Sequence, residues 1–394
     1  MKRFTAYISM FLIIASSAFA FNWFDDRYFE VAIDSPFGVS NNTTQIGNIL
    51  AKEVVIDFQD LASRVPEKGA DLNFYANPTV SFNLNARKFK LGLKSGVESW
   101  ANVCMSKDLF EYIGYGNDLY ETVTVSQKSQ MDAFVYEELS VGFKIKKASV
   151  VVKPAFFVPV IHVASSDGAL TIKNLEDGTL SVEYSSSIDV YTAFDFDKPS
   201  KTAASVGFDF AATVEYPLFD FLKLTGNFRV PVIPGILNYK TVQTTTFVFE
   251  TSANRLINGD SNTSDFSSKH SDSVSASYKV NRPLKFSCVA DFSPFGDWLI
   301  FTGGAGMGFR HPFMEDPLEV FPEYYLGGTI KLLNILRFSA SSQYYEQLFI
   351  HQFEFSANAR VLELVFAINT QSTDFIRSCC GGGIGGMVGV RLGF

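Results

Sequence analysis

From about residue 72 onward the chain alternates apolar and polar positions with a period of two, as strands with one apolar face do. The last ten residues, GGMVGVRLGF, show the pattern most sharply. Val388, Val390, Leu392 and Phe394 fall on one side, and Met387, Gly389, Arg391 and Gly393 on the other. An apolar row, a small-or-polar row and a terminal aromatic are expected of the closing strand of an outer-membrane barrel. The apolar row then meets lipid and the other row faces the lumen. Upstream, Val80, Phe82 and Leu84 alternate, Arg87 turns, and Phe89, Leu91 and Leu93 alternate again, which predicts a hairpin. Val141, Phe143 and Ile145 repeat the pattern before a basic turn at Lys146-Lys147 and a β-rich run over 149–163. With a first strand at 28–34 and further alternating segments at 180–184, 188–194, 206–216, 222–230, 242–249, 284–292, 299–309, 325–332, 336–344, 349–360 and 361–370, the reading is about 14 strands, within 12 to 16.

The period changes in one early segment. After Asn41-Asn42-Thr43-Thr44, apolar residues recur at Ile46, Leu50, Val54, Phe58, Leu61 and Val65, and Pro66 follows. Spacings of three and four predict a helix with a polar cap and a proline stop. A strand at Val54-Ile56-Phe58 competes, but it leaves Ile46, Leu50, Leu61 and Val65 unexplained. A helical segment over about 40–68 is the natural candidate for a lumen plug; a helix lying outside the barrel is the other placement. Two long loops are expected, at 98–132 and 251–282. The first holds a short helix at 106–113 that starts at Ser106 and ends by Gly114 or Gly116.

The amino terminus places this pattern in a compartment. Lys2-Arg3, the apolar run Phe11-Leu12-Ile13-Ile14-Ala15 and Ala18-Phe19-Ala20 form a secretory signal peptide over 1–20, with cleavage expected after Ala20. Beyond it no run of about 18 uncharged apolar residues occurs, so no membrane-spanning helix is expected. Forty Phe and 16 Tyr spread through alternating segments suit a membrane barrel with aromatic rims. The fold class is therefore read as all-β, a transmembrane antiparallel β-barrel, whose partners are outer-membrane lipid and the barrel assembly machinery. A formal charge of −8 without a basic block argues against nucleic acid. Cys104, Cys288, Cys379 and Cys380 lack metal-ligand spacing, and one bridge from Cys104 or Cys288 to the adjacent pair is conceivable.

Three stretches, SKDLFEYIGYGN at 106–117, AFVYEELSVGFKI at 133–145 and SVGFDFAATVEYPLFDFLKLTGNF at 205–228, resemble a family of FadL-like outer-membrane barrels of diderm bacteria. The likeness spans about 73–235 and the last strand, and Ala211 stands where the family pattern prefers Gly. The resemblance implies a barrel with an amino-terminal plug that passes hydrophobic molecules such as long-chain fatty acids. A general porin or nutrient channel, and a surface-exposed structural or adhesive barrel acting through 251–282, are the alternatives.

Catalytic chemistry has little footing. His162, His270, His311 and His351 stand in unrelated contexts; His351 with Ser356 and Asn358 has the residue types of a triad but no motif. No catalytic residue, metal ligand set or cofactor is expected. Alternation does give one basic cluster. With Phe89, Leu91 and Leu93 facing lipid, Lys88 and Lys90 face inward; with Val141, Phe143 and Ile145 facing lipid, so do Lys144 and Lys146. These four are the expected lumen contacts for a carboxylate or other anion.

Overall fold

The computed structural model describes residues 27–45, 47, 57–86, 89–116, 122–174, 178–195, 197–198, 200, 202, 205–252, 263–333 and 335–394. The proposed signal peptide and Ile46, Leu50, Val54 and Lys88 lie outside the described residues. In chain order the strands are β1 (Phe29–Asn41), β2 (Ala70–Ala76), β3 (Thr79–Ala86), β4 (Phe89–Met105), β5 (Thr122–Ile145), β6 (Ala148–Asn174), β7 (Thr179–Thr192), β8 (Gly207–Phe219), β9 (Leu222–Ile233), β10 (Gly235–Ser252), β11 (Thr263–His270), β12 (Val274–Val280), β13 (Leu284–Phe292), β14 (Leu299–Arg310), β15 (Glu319–Leu332), β16 (Leu336–Tyr345), β17 (Leu348–Asn358), β18 (Leu362–Ser372) and β19 (Gly383–Gly393). Among the described residues they form one 19-stranded sheet, every ladder antiparallel, and β19 pairs with β1 so that the wall closes. Closure leaves no open edge, which is what a wall in lipid requires.

The strand count differs from the expected 14 because several strands end and resume along the same path. β2 and β3 both pair with β1 on one side and β4 on the other, separated only by Asn77-Pro78. β7 and β8 both pair with β6; β9 and β10 are parted at Pro234; β11, β12 and β13 continue one another. Alternation in sequence does not register such interruptions. The expected loops are shorter because strands extend into them. β4 runs to Met105 and β5 begins at Thr122, while β11 and β12 occupy much of 251–282.

The alternating apolar rows point outward. Phe82, Leu93, Leu139, Phe301, Phe353, Val388 and Leu392 are all exposed on the outer face, as a lipid-facing wall requires. At the seam Phe394 stacks on Phe29, with centroids 5.6 Å apart, and its carbonyl accepts the Tyr28 and Phe29 amides. Val390 is less exposed than its neighbours in the row. Arg391 points inward toward Asp34 and Glu363.

Two short helices, α1 (Phe58–Arg64) and α2 (Lys107–Tyr115), stand at the end opposite the tight β3–β4, β5–β6 and β8–β9 turns. Asp57 caps α1 by accepting from the Gln59 and Asp60 amides, and Pro66 follows its last turn. Gly114 on α2 allows close approach: a Cβ there would lie 2.7 Å from the Phe58 carbonyl oxygen. Phe58 and Leu61 are thus on a helix, but it packs on α2 and supplies no lining to the central cavity. The described part of the predicted plug does not fill the lumen. Among the described residues, inward side chains of the wall form the buried cluster Phe134, Tyr136, Phe157, Leu237, Tyr278 and Val280.

Candidate functional site

The central site is built by strands far apart in the ring that reach one another across the lumen. Glu98 on β4 accepts two hydrogen bonds from Arg229 on β9, both 3.1 Å, although β5, β6 and β8 lie between them in the wall. Arg282, between β12 and β13, donates to Glu98 at 2.8 Å and to Asp209 on β8 at 2.8 Å, and its guanidinium lies 4.2 Å from the Tyr136 ring centroid. Forked guanidinium groups suit this task because they hold two carboxylates in fixed geometry while their faces cover aromatic rings.

Nearer the helical end a second crossing follows. Arg310, closing β14, lies 3.7 Å from the Trp100 ring centroid on β4 and donates to Glu319 at 3.1 Å and Glu346 at 2.6 Å. Lys285 pairs with Glu323 at 3.2 Å and with Glu346. Glu346 is placed by the turn between β16 and β17, where Glu346 (φ 51°) and Gln347 (φ 66°) both adopt left-handed backbone. Turns of that kind favour Asn and Gly, so this pair holds a costly conformation that directs a carboxylate inward.

Beside these bridges is a third group. Asp132 on β5 lies opposite His162 on β6, and register shifts on either side of it, at Ser129/Met131 and Ala133/Phe134, interrupt the β5–β6 ladder. Such bulges commonly re-aim side chains next to sites. Asp132 Oδ1 is 2.7 Å from His162 Nδ1, and Oδ2 is 3.1 Å from His311 Nε2. The other His162 nitrogen faces Asp316 Oδ2 at 2.9 Å, and the Tyr278 hydroxyl donates to the same oxygen at 2.8 Å. Burial pushes the Asp316 carboxyl up, but its hydrogen bonds with His162 and Tyr278 outweigh this and hold it below its ordinary value of 3.8.

These groups border a cavity of about 510 Å³. Its wall carries Pro36, Tyr75, Trp100, Phe134, Tyr136, Tyr345, Leu348, Ile350 and Met387 alongside Glu98, Arg229, Arg282 and Arg310. Volume and mixed lining suit a small amphipathic molecule. Regular strand pairing lapses where the wall meets this cavity, at Asn77-Pro78 between β2 and β3, although the backbone stays bonded to both neighbours. There Ser99 replaces ladder bonds: its amide donates to Asn77 Oδ1 at 2.8 Å and its hydroxyl bonds the Ala76 carbonyl at 2.5 Å. Pro36 on β1 accepts from the Asn77 amide at 3.0 Å.

The basic cluster expected from alternation is partly assembled. Lys90 and Lys144 line a recess at the tight-turn end together with Lys147, Lys223 and Glu215. Lys146 sits in the exposed turn at φ 54° and does not line that recess. The expectation that the histidines stand apart fails for His162 and His311, which meet through Asp132. His351, Ser356 and Asn358, read without a motif, are not assembled as a triad: the Ser356 hydroxyl makes no hydrogen bond among the described residues. His351 Nε2 is 2.9 Å from Ser378 Oγ, on α3 (Phe375–Cys379), and that hydroxyl donates to the Phe375 carbonyl at 2.6 Å, so its proton is directed away from the imidazole. All four cysteines are free thiols. Glu98, Arg229, Arg282 and Asp132 escaped the sequence reading because their partners are set by ring closure, with no local spacing to mark them.

No family model and no curated protein sequence matches the chain. Among solved structures it is similar to the Pseudomonas putida toluene transporter TodX, at 10% identity and a TM-score of 0.48, covering 96% of this chain and 92% of that one. The Ralstonia pickettii toluene transporter TbuX is similar at 8% identity and a TM-score of 0.45, with 94% and 91% covered. A Pseudomonas aeruginosa FadL homologue is similar at 10% identity and a TM-score of 0.43, with 93% and 90% covered. The fold stands on the strand register itself.

Proposed function

We propose that the protein is an outer-membrane barrel that admits hydrophobic or amphipathic small molecules, long-chain fatty acids being the substrate class, through a closed lumen and not an open pore. The observation that carries this reading is the crossed lumen: Glu98, Arg229, Arg282, Trp100 and Arg310 bridge opposite walls and leave a bounded cavity with aromatic and aliphatic sides. A general porin needs a continuous polar channel, which such crossbars oppose. The lapse in regular pairing at Asn77-Pro78, beside Pro36, is where the wall of the cavity has the fewest ladder bonds to part, and there an apolar solute would pass sideways into lipid.

In planar bilayers the protein is expected to show little steady ion conductance, while proteoliposomes take up a labelled fatty acid. Large conductance in the unaltered protein without fatty-acid uptake would establish the porin reading in its place. Lys90 and Lys144 are proposed to attract the carboxylate at the tight-turn end; uptake unchanged by Lys90→Glu with Lys144→Glu would remove them from the route. Phe394 and the row Val388, Val390 and Leu392 are proposed as the assembly signal. Phe394→Ala should lower the amount of assembled barrel and leave uptake per assembled barrel unchanged.

A further inference from the structure

Asp132, His162 and His311 form a compact buried group, with exposures of 8%, 1% and 5%, whose ligand atoms all lie within 4.8 Å of one another. We infer that this group is a binding site for one divalent transition-metal ion, Zn²⁺ foremost, that ties the connection after β14 to the wall at β5 and β6.

Three features favour an ion over a simple hydrogen-bonded cluster. The first is ligand type. Two imidazoles and one carboxylate, without sulfur, suit Zn²⁺, Co²⁺ or Ni²⁺, and not the softer Cu⁺. Tetrahedral Zn²⁺ holds its donors about 3.4 Å apart, so the present spacings of 2.7 and 3.1 Å need only slight opening. The second is the outer layer. A metal-bound histidine usually donates its other ring N–H to a carboxylate. His162 comes close to that arrangement: Nδ1 faces Asp132, and Nε2, which makes no hydrogen bond in this structure, lies 2.9 Å from Asp316 Oδ2, an oxygen fixed in turn by Tyr278. Both ring nitrogens face carboxylates, Asp132 at 2.7 Å and Asp316 at 2.9 Å, so an ion in place of the Nδ1 proton would sit between the ring and Asp132 with a carboxylate already behind the ring. An ion at Nδ1 also gives His311 Nε2 and Asp132 a common partner.

The third feature is the backbone. His311 is held at φ 55°, a conformation uncommon for residues other than glycine. Asn281 anchors the next residue, donating to the Pro312 carbonyl at 2.8 Å. A strained backbone that delivers a buried imidazole to a carboxylate on the opposite wall is the kind of outlier that marks a site.

The test uses the full-length protein in detergent, stripped with a chelator and carrying Cys379→Ser and Cys380→Ser, because Cys379 lies 3.3 Å from His351 and forms a rival ligand pair. Titration with Co²⁺ alone should give one equivalent of visible absorption without a thiolate band, displaced by Zn²⁺. His162→Ala and His311→Gln should each abolish the spectrum, and Asp316→Asn should weaken Zn²⁺ binding by about 10- to 100-fold. Absence of stoichiometric Co²⁺ absorption in this background overturns the proposal. So does absorption that persists in His311→Gln, a residue outside the strand ladder whose replacement leaves wall pairing intact.

Discussion

Glu98 and Asp132 sit on adjacent strands, both point into the lumen and both meet partners from the far wall, yet the partners differ in kind. Glu98 is held by Arg229 and Arg282, whose charges are permanent. Asp132 is held by His162 and His311, whose rings can be neutral, protonated or metal-bound. The same carboxylate geometry therefore makes a fixed crossbar in one case and an exchangeable clasp in the other. The contrast also decides what each can tolerate. Buried ion pairs add little net stability relative to apolar packing, but removing one member strands the other charge; a histidine that loses its carboxylate can shed its proton.

The largest effect should come from Glu98→Ala, which leaves two guanidinium groups without their main acceptor. Unfolding in urea with detergent should show a loss of about 3 kcal/mol, accompanied by new ion conductance. A loss near that of an exposed pair, below about 1 kcal/mol, would mean the crossbar is not structural. Glu346→Gln comes next. It keeps the shape and removes the charge shared by Lys285 and Arg310, for an expected loss of about 2 kcal/mol in the same titration. Asp132→Asn should cost less, about 1 kcal/mol, since the histidines adjust; a loss equal to that of Glu98→Ala would erase the distinction. The smallest change is a gain. Gln347→Gly relieves a left-handed backbone, loses only the long 3.3 Å bond from Gln347 Nε2 to Glu319, and should stabilise by about 1 kcal/mol or less, read as a small rise in the urea midpoint.

What was legible in the chain was the outside of the wall. A row such as Val388, Leu392 and Phe394 is dictated by a period of two and needs no knowledge of the partner strand. Helical spacing likewise found Phe58 and Leu61, while saying nothing of where the helix sits. The inside was not legible because its contacts span the ring: Arg282 meets Glu98 from 184 positions away, and His311 meets Asp132 from 179. Local departures hid the rest. The bulges around Asp132 shift the strand phase, and the left-handed turn at Glu346 uses residues that do not announce such a turn. The resemblance to FadL-like barrels implied a plug; of the apolar stripe read for it only Phe58, Leu61 and Val65 are described, and the buried cluster Phe134, Tyr136, Phe157, Leu237, Tyr278 and Val280 comes from the wall's own strands.

The interruption at Asn77-Pro78 has one more consequence, for how the strands find their alignment. Pro36 and Pro78 lack amide hydrogens in neighbouring strands, and the ladder is complete only where their carbonyls meet Asn77 and Val97. Sliding either strand by two residues would keep every side chain on its proper face, so the lipid-facing pattern does not oppose that slip. It would instead carry a proline into the paired stretch and pull Ser99 away from Ala76 and Asn77. The two imino acids thus act as an index mark, penalising a misalignment that hydrophobicity alone cannot detect.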